Sequence, residues 1–220
     1  MNRLVRRAVE VNWQNLALGH EVFDAGGATL VRNVALSCVY DANFVFRICA
    51  SQPHEIEQLL ARAVREYAHA TRLTFRVDPS TPAQFEARLA LDGYEREEAL
   101  VMLLDGQLRR ARADFDIRPV EDEAAWRAYA ELKCVDWSEH AARRGRDPED
   151  MTTALGLASS NRLKCPPVQY VMAYEGGRAI GHCNAWEGPQ QAYVALGWQP
   201  VAIVRQYGKD LAAARRSALR

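Results

Sequence analysis

Between Ile56 and Tyr67 the apolar residues Ile56, Leu59, Leu60, Ala63, Val64 and Tyr67 recur at i, i+3, i+4, i+7, i+8 and i+11, the spacing of one helical face. Ser51, Pro53 and Glu55 precede that face and supply a helix start. Around it the pattern changes to short β-rich runs, at residues 28–32 after the Gly26-Gly27 turn, at 44–49 and at 73–77. Thr81-Pro82 opens a second helix through Phe85 and Leu89 that Gly93 stops. Tyr94 leads into an apolar strand ending at Asp105-Gly106. Strand, helix, strand, helix, strand is α/β alternation.

A charged stretch from Arg109 reads as a linker and places a boundary near the middle of the chain, between a lobe over 1–112 and another over 113–220. The second half opens with a strand at 115–120. A helix capped near Asp122 carries Trp126, Tyr129, Ala130 and Leu132, and another starts at Asp147-Pro148-Glu149. The runs 168–174 and 179–186 flank Gly176-Gly177 and predict a β-hairpin. A short helix over 190–196, stopped by Gly197, precedes a last strand at 198–204. The two halves end alike: a helix stopped by Gly93 or Gly197, an aromatic (Tyr94 or Trp198), then an apolar strand. That shared punctuation suggests a tandem arrangement.

Charge removes several functions. Lys+Arg and Asp+Glu both number 28, so no basic footprint for nucleic acid or an anionic membrane is expected. No run approaches 18 apolar residues, and the basic start carries no apolar segment behind it, so neither a membrane span nor secretion is expected. Cys38, Cys49, Cys134, Cys165 and Cys183 are odd in number and never spaced C-x-x-C. They read as reduced thiols of a cytoplasmic protein, and no metal site is expected.

Three segments of the second half resemble the GNAT superfamily of acyl-CoA N-acyltransferases. Asp116-Ile117-Arg118-Pro119-Val120-Glu121-Asp122 resembles its opening strand and acidic helix start. Tyr170 to Cys183, with Gly176-Gly177-Arg178 at the turn, resembles its central hairpin. Ala192-Tyr193-Val194-Ala195-Leu196-Gly197-Trp198 resembles its closing helix and strand. The resemblance implies an α/β fold (an α+β mixed sheet) of two GNAT-like lobes, the first a degenerate copy. It implies acetyl-CoA as co-substrate, transfer of an acyl group other than aminoacyl, and an amine of a small molecule or a protein amino group as acceptor.

The second lobe departs from that plan. Trp186-Glu187-Gly188-Pro189-Gln190-Gln191 runs almost directly from the hairpin into the closing helix. The strand, glycine turn and helix that hold the CoA pyrophosphate are missing between Gly188 and Pro189. Among 13 glycines no two are separated by one residue, so no G-x-G cradle stands elsewhere. In the first lobe the equivalent turn is Ser51-Gln52-Pro53-His54, whose proline removes a donor. By position Tyr193 matches the tyrosine acid of the family, or packs as an aromatic on the closing helix. Glu187 is a candidate base or an exposed turn carboxylate, and Trp186 a core or cleft residue. His182 and Cys183, adjacent on a strand, face opposite ways and form no dyad. Three accounts follow: a truncated N-acetyltransferase, a catalytically silent binding or dimerisation module, or an internal deletion from an ordinary enzyme. The shortened lobe should also leave a sheet edge exposed, open to a second copy.

Overall fold

The computed structural model describes residues 3–104, 115–143, 145, 147, 151–186 and 198–211. Along the chain run α1 (Arg3–Ala17), β1 (Glu21–Asp24), β2 (Thr29–Arg32), β3 (Phe44–Phe46), α2 (Pro53–Glu66), β4 (Arg72–Val77), α3 (Ala83–Leu91) and β5 (Glu95–Leu104). Then come β6 (Asp116–Pro119), α4 (Glu123–Arg143), α5 (Thr152–Leu163), β7 (Val168–Glu175), β8 (Arg178–Trp186) and β9 (Trp198–Asp210). Two compact units result, Met1–Leu103 with Gln199–Arg220, and Leu104–Trp198. The division thus falls at Leu103/Leu104 where 112/113 is read from the sequence, and the last strand lies in the sheet of the first unit.

That first sheet has the order β1-β2-β3-β4-β9-β5. The pairs β1/β2, β2/β3 and β4/β9 are antiparallel, and β3/β4 is parallel. The fold is thus α+β with a sheet of mixed orientation. Alternation along the strands builds two cores. Leu30, Val45, Leu73, Phe75 and Val77 face α2 and α3, where Ile56, Leu59, Leu60, Ala63, Tyr67, Phe85 and Leu89 meet them. Val31, Phe44, Phe46 and Val204 point the other way, onto Val9 and Trp13 of α1. Each large side chain so buried contributes about 1.5–3 kcal/mol. The helical face read at 56–67 is the buried face of α2, except that Val64 is half exposed at 49%.

Two polar groups fix the strands of this unit in register. The Tyr67 hydroxyl, fully buried, lies 2.8 Å from the Val31 carbonyl and 2.6 Å from that of Phe44, so its one proton serves adjacent strands. Trp13 donates its indole N–H to Asp78 at 3.1 Å. Asp78 in turn accepts from the Ser80 amide at 2.7 Å, and its own amide donates to the Thr81 hydroxyl at 3.1 Å. Thr81 therefore orders the turn before α3 instead of capping it, a correction to the sequence reading. Gly93, at φ 75°, ends α3 as expected.

The second unit holds an antiparallel sheet of order β6-β7-β8. Gly176 and Gly177, at φ 56° and 80°, make the turn of the expected hairpin. Val168, Tyr170 and Met172 of β7 are buried on one face. Residues that point the other way, Ile117, Gln169, Cys183 and Ala185, are exposed. β6 and β8 are the outer strands of this sheet, and all four residues of β6 are exposed. Among the described residues no helix is long and apolar enough to cross a membrane. The Arg109 linker, the start of the helix at Pro148-Glu149 and the closing helix over 190–196 lie outside the described residues.

Candidate active site

Helix α4 is set by the Asp122 carboxylate, which accepts the Ala125 amide at 2.7 Å. From that start Tyr129, Lys133 and Asp136 follow at i, i+4 and i+7 and share a helix face. The hairpin register pairs His182 with Met172, a residue of the buried face of the sheet. His182 therefore points toward α4. The rings interlock: Tyr129 stands edge-on to His182 at 5.1 Å, to Trp126 at 5.4 Å and to Tyr170 at 5.5 Å. Asn161 of α5 donates to the Tyr129 hydroxyl at 2.8 Å. Burial raises the Tyr129 phenol to about 12 and raises that of Tyr170 as well, so both stay neutral at physiological pH.

One carboxylate oxygen gathers the polar groups. Asp136 Oδ2 lies 3.3 Å from Lys133 Nζ and 3.4 Å from His182 Nε2, and Lys133 Nζ is 3.4 Å from the same imidazole nitrogen. Nε2 has two claimants: with its proton on Nε2 the ring donates toward Asp136, the stronger acceptor, and with the proton on Nδ1 it accepts from Lys133, which can only donate. In the first arrangement Nδ1 carries the free lone pair; it is buried and has no hydrogen-bond partner. Burial pushes the His182 imidazole below its ordinary value, the Lys133 ammonium adds to that, and Asp136 opposes it. The result is a neutral imidazole beside a carboxylate, with its unpartnered Nδ1 closed off from solvent in this conformation.

The residues expected to act are distributed differently. Tyr193, Glu187 and the Gly188-Pro189 junction lie outside the described residues. Trp186 is the last residue of β8, its backbone paired with Val168. His182 and Cys183 take opposite faces as expected, Cys183 exposed beside its cross-strand partner Val171. The sequence reading considered His182 only with its neighbour. Its partner Asp136 sits on a helix far earlier in the chain, and the only local signal was Lys133 and Asp136 one helical turn apart.

A phosphate cradle is the other element the resemblance requires. At the start of α2 the Glu55 carboxylate accepts the amides of Ser51 at 2.9 Å and Gln52 at 3.0 Å. The Gln52 amide, then the Ser51 amide, hold Glu55 below the usual carboxylate range. An internal anion thus takes the position a pyrophosphate would need, and this turn does not fit CoA. All five cysteines are free thiols. Among the described residues no group of three or more His, Cys, Asp or Glu is placed to hold a metal ion.

No family model matches the chain, and no curated protein matches it. Among solved structures it is similar to the crystal structure of a functionally unknown conserved protein from Staphylococcus epidermidis ATCC 12228. The TM-score is 0.60 at 10% identity, over 90% of this chain and 97% of that one. The two chains share a fold nearly end to end.

Proposed function

We propose that the chain is an N-acyltransferase of GNAT-like plan whose second unit keeps a proton acceptor for an amine, with acetyl-CoA as co-substrate and the cytoplasm as its compartment. The observation that carries the reading is the Asp136–His182 pair, with the imidazole neutral and Nδ1 unpartnered. An ammonium cannot attack an acyl group, so the acceptor must lose a proton, and the imidazole takes it only once a movement of the ring or its neighbours uncovers Nδ1, which is buried as it stands. Asp136 holds the ring and balances the charge that forms on it. Lys133 opposes protonation in the resting state, which keeps the base available. The sheet of the first unit, with one parallel pair and a closing strand inserted from the chain's far end, is compatible with a GNAT-like lobe whose chemistry has lapsed.

No step through acetyl-CoA is assigned, because the start of α2, where the resemblance would put the phosphates, is already filled by Glu55. That same contact favours a second reading, a catalytically silent module of the same ancestry. The test is acetyl transfer from acetyl-CoA to a panel of small amines and peptides. Turnover that falls about 10²–10⁴-fold in His182→Gln with the fold retained supports the base. No turnover with any amine sinks the enzymatic reading in favour of the silent module.

A further inference from the structure

An open groove of about 290 Å³ lies between α4 and α5 in the second unit. Its apolar lining is Trp126, Ala130, Ala158 and Leu155. Trp126 and Ala158 are nearly buried, whereas Leu155 is 50% exposed. The rim is charged. Arg162 holds Glu123 through two nitrogens, Nη1 at 3.0 Å from Oε2 and Nη2 on Oε1, and its guanidinium lies 5.8 Å from the centre of the Trp126 ring. This fixes one wall and neutralises the only acid of the lining. Arg127, on the helix turn after Glu123, also lines the groove. Two guanidiniums against one carboxylate leave the groove with one positive charge in excess over an aromatic and aliphatic surface.

We infer that this groove binds a small apolar carboxylate, an aromatic or short aliphatic acid whose body lies on Leu155 beside the exposed edge of Trp126 and whose carboxylate meets Arg127. Both halves of the ligand are specified by separate features. The exposed Leu155 side chain and the edge of Trp126 remove apolar surface from water, and a guanidinium prefers a planar carboxylate to a neutral isostere. The inference does not rest on the acyltransferase reading, since it uses none of the atoms of the Asp136–His182 pair. The groove is nonetheless one ring away from that pair, because Trp126 touches Tyr129 and Tyr129 touches His182.

The experiment is a two-dimensional NMR titration of the full chain with phenylacetate and, separately, with phenylacetamide, its uncharged counterpart. We expect saturable shifts at the Trp126 indole and the Leu155 methyls, and affinity at least five-fold higher for the acid. Arg127→Gln, at an exposed position, should abolish that preference while leaving the amide's affinity unchanged. Leu155→Ser should weaken both ligands equally. Equal affinity of acid and amide in the unsubstituted chain, or the absence of shifts at Trp126 at millimolar ligand, would overturn the inference. Shifts confined to residues outside the groove would do the same.

Discussion

Arg205 donates from one guanidinium nitrogen to both carboxylate oxygens of Glu86, at 3.0 and 3.3 Å. The Tyr207 hydroxyl reaches the same carboxylate at 3.0 Å. Lys209 Nζ adds a bond to the Asp92 carbonyl at 2.7 Å. Three residues of β9 are thereby tied to α3 and the turn that ends it, although more than a hundred positions of chain separate the partners. Burial and the Glu86 carboxylate both push the Tyr207 phenol up, as expected of a hydroxyl that donates into a shielded acid.

Glu86→Ala should therefore loosen β9 from the first unit. It removes the acceptor of both Arg205 and Tyr207 at a half-buried position, with an expected cost of about 2 kcal/mol. Glu86→Gln, which keeps an acceptor oxygen, should lose about half as much. Urea unfolding of the two variants side by side measures it, and an unchanged midpoint for Glu86→Ala would refute the role given to this contact.

Gly208 faces Thr74 across β4 and β9, and a Cβ there would collide with the guanidinium of Arg72. Gly208→Ala should displace that side chain and cost about 1–2 kcal/mol. The companion change Arg72→Ala should make the alanine at 208 harmless, which a double-mutant cycle reads directly.

Two histidines set a pH dependence. Burial holds His69 below its ordinary value, with Arg32 adding to the effect, and His182 is lowered by burial and Lys133. In both, the folded state disfavours the proton that the unfolded chain accepts near pH ~6.5. Stability is then fully present above that value and is lost as pH falls through the lower folded values. NMR titration of the His182 ring should give a midpoint below that of a free imidazole. Lys133→Met should raise the midpoint and Asp136→Asn should lower it. The opposite order would remove the basis for treating Asp136 as its partner.

The sequence disclosed most of the local elements and little of their assembly. The periodicity from Ile56 to Tyr67 and the glycine pair at 176–177 identify α2 and the hairpin because both signals are local. Helix α1 escaped notice because Arg3, Arg6 and Arg7 mask the few positions, Ala8, Val9 and Trp13, that it buries. The placement of β9 was not legible either: an alternating strand states which of its faces is apolar, and nothing in it states which sheet it joins. The same applies to His182, whose meaning depends on a carboxylate delivered by tertiary packing.

Acetyl-CoA should bind weakly to the chain. The start of α2 already carries the Glu55 carboxylate, and no G-x-G turn exists in the sequence. Thermal shift and calorimetry with acetyl-CoA are expected to give at most a small stabilisation. Micromolar affinity with a clear rise in Tm would demand a phosphate site of another kind.

Self-association through the second unit is also expected. β6 and β8 are its outer strands, and Ile117 and Cys183 lie exposed on the open face of that sheet. Pro119 and the Asp116–Arg118 ion pair blunt one edge, which leaves β8 as the preferred contact. A strictly monomeric mass by light scattering at 100 µM or about ten-fold above would exclude this arrangement at any working concentration.

The position of β9 between β4 and β5 has a consequence for how the protein is made. A ribosome delivers residues 3–103 first, yet the gap in their sheet waits for a strand that emerges after the whole second unit. The part begun first is finished last. Until then two strand edges that end up adjacent to β9 stand open, and a chain stalled before residue 198 would display them.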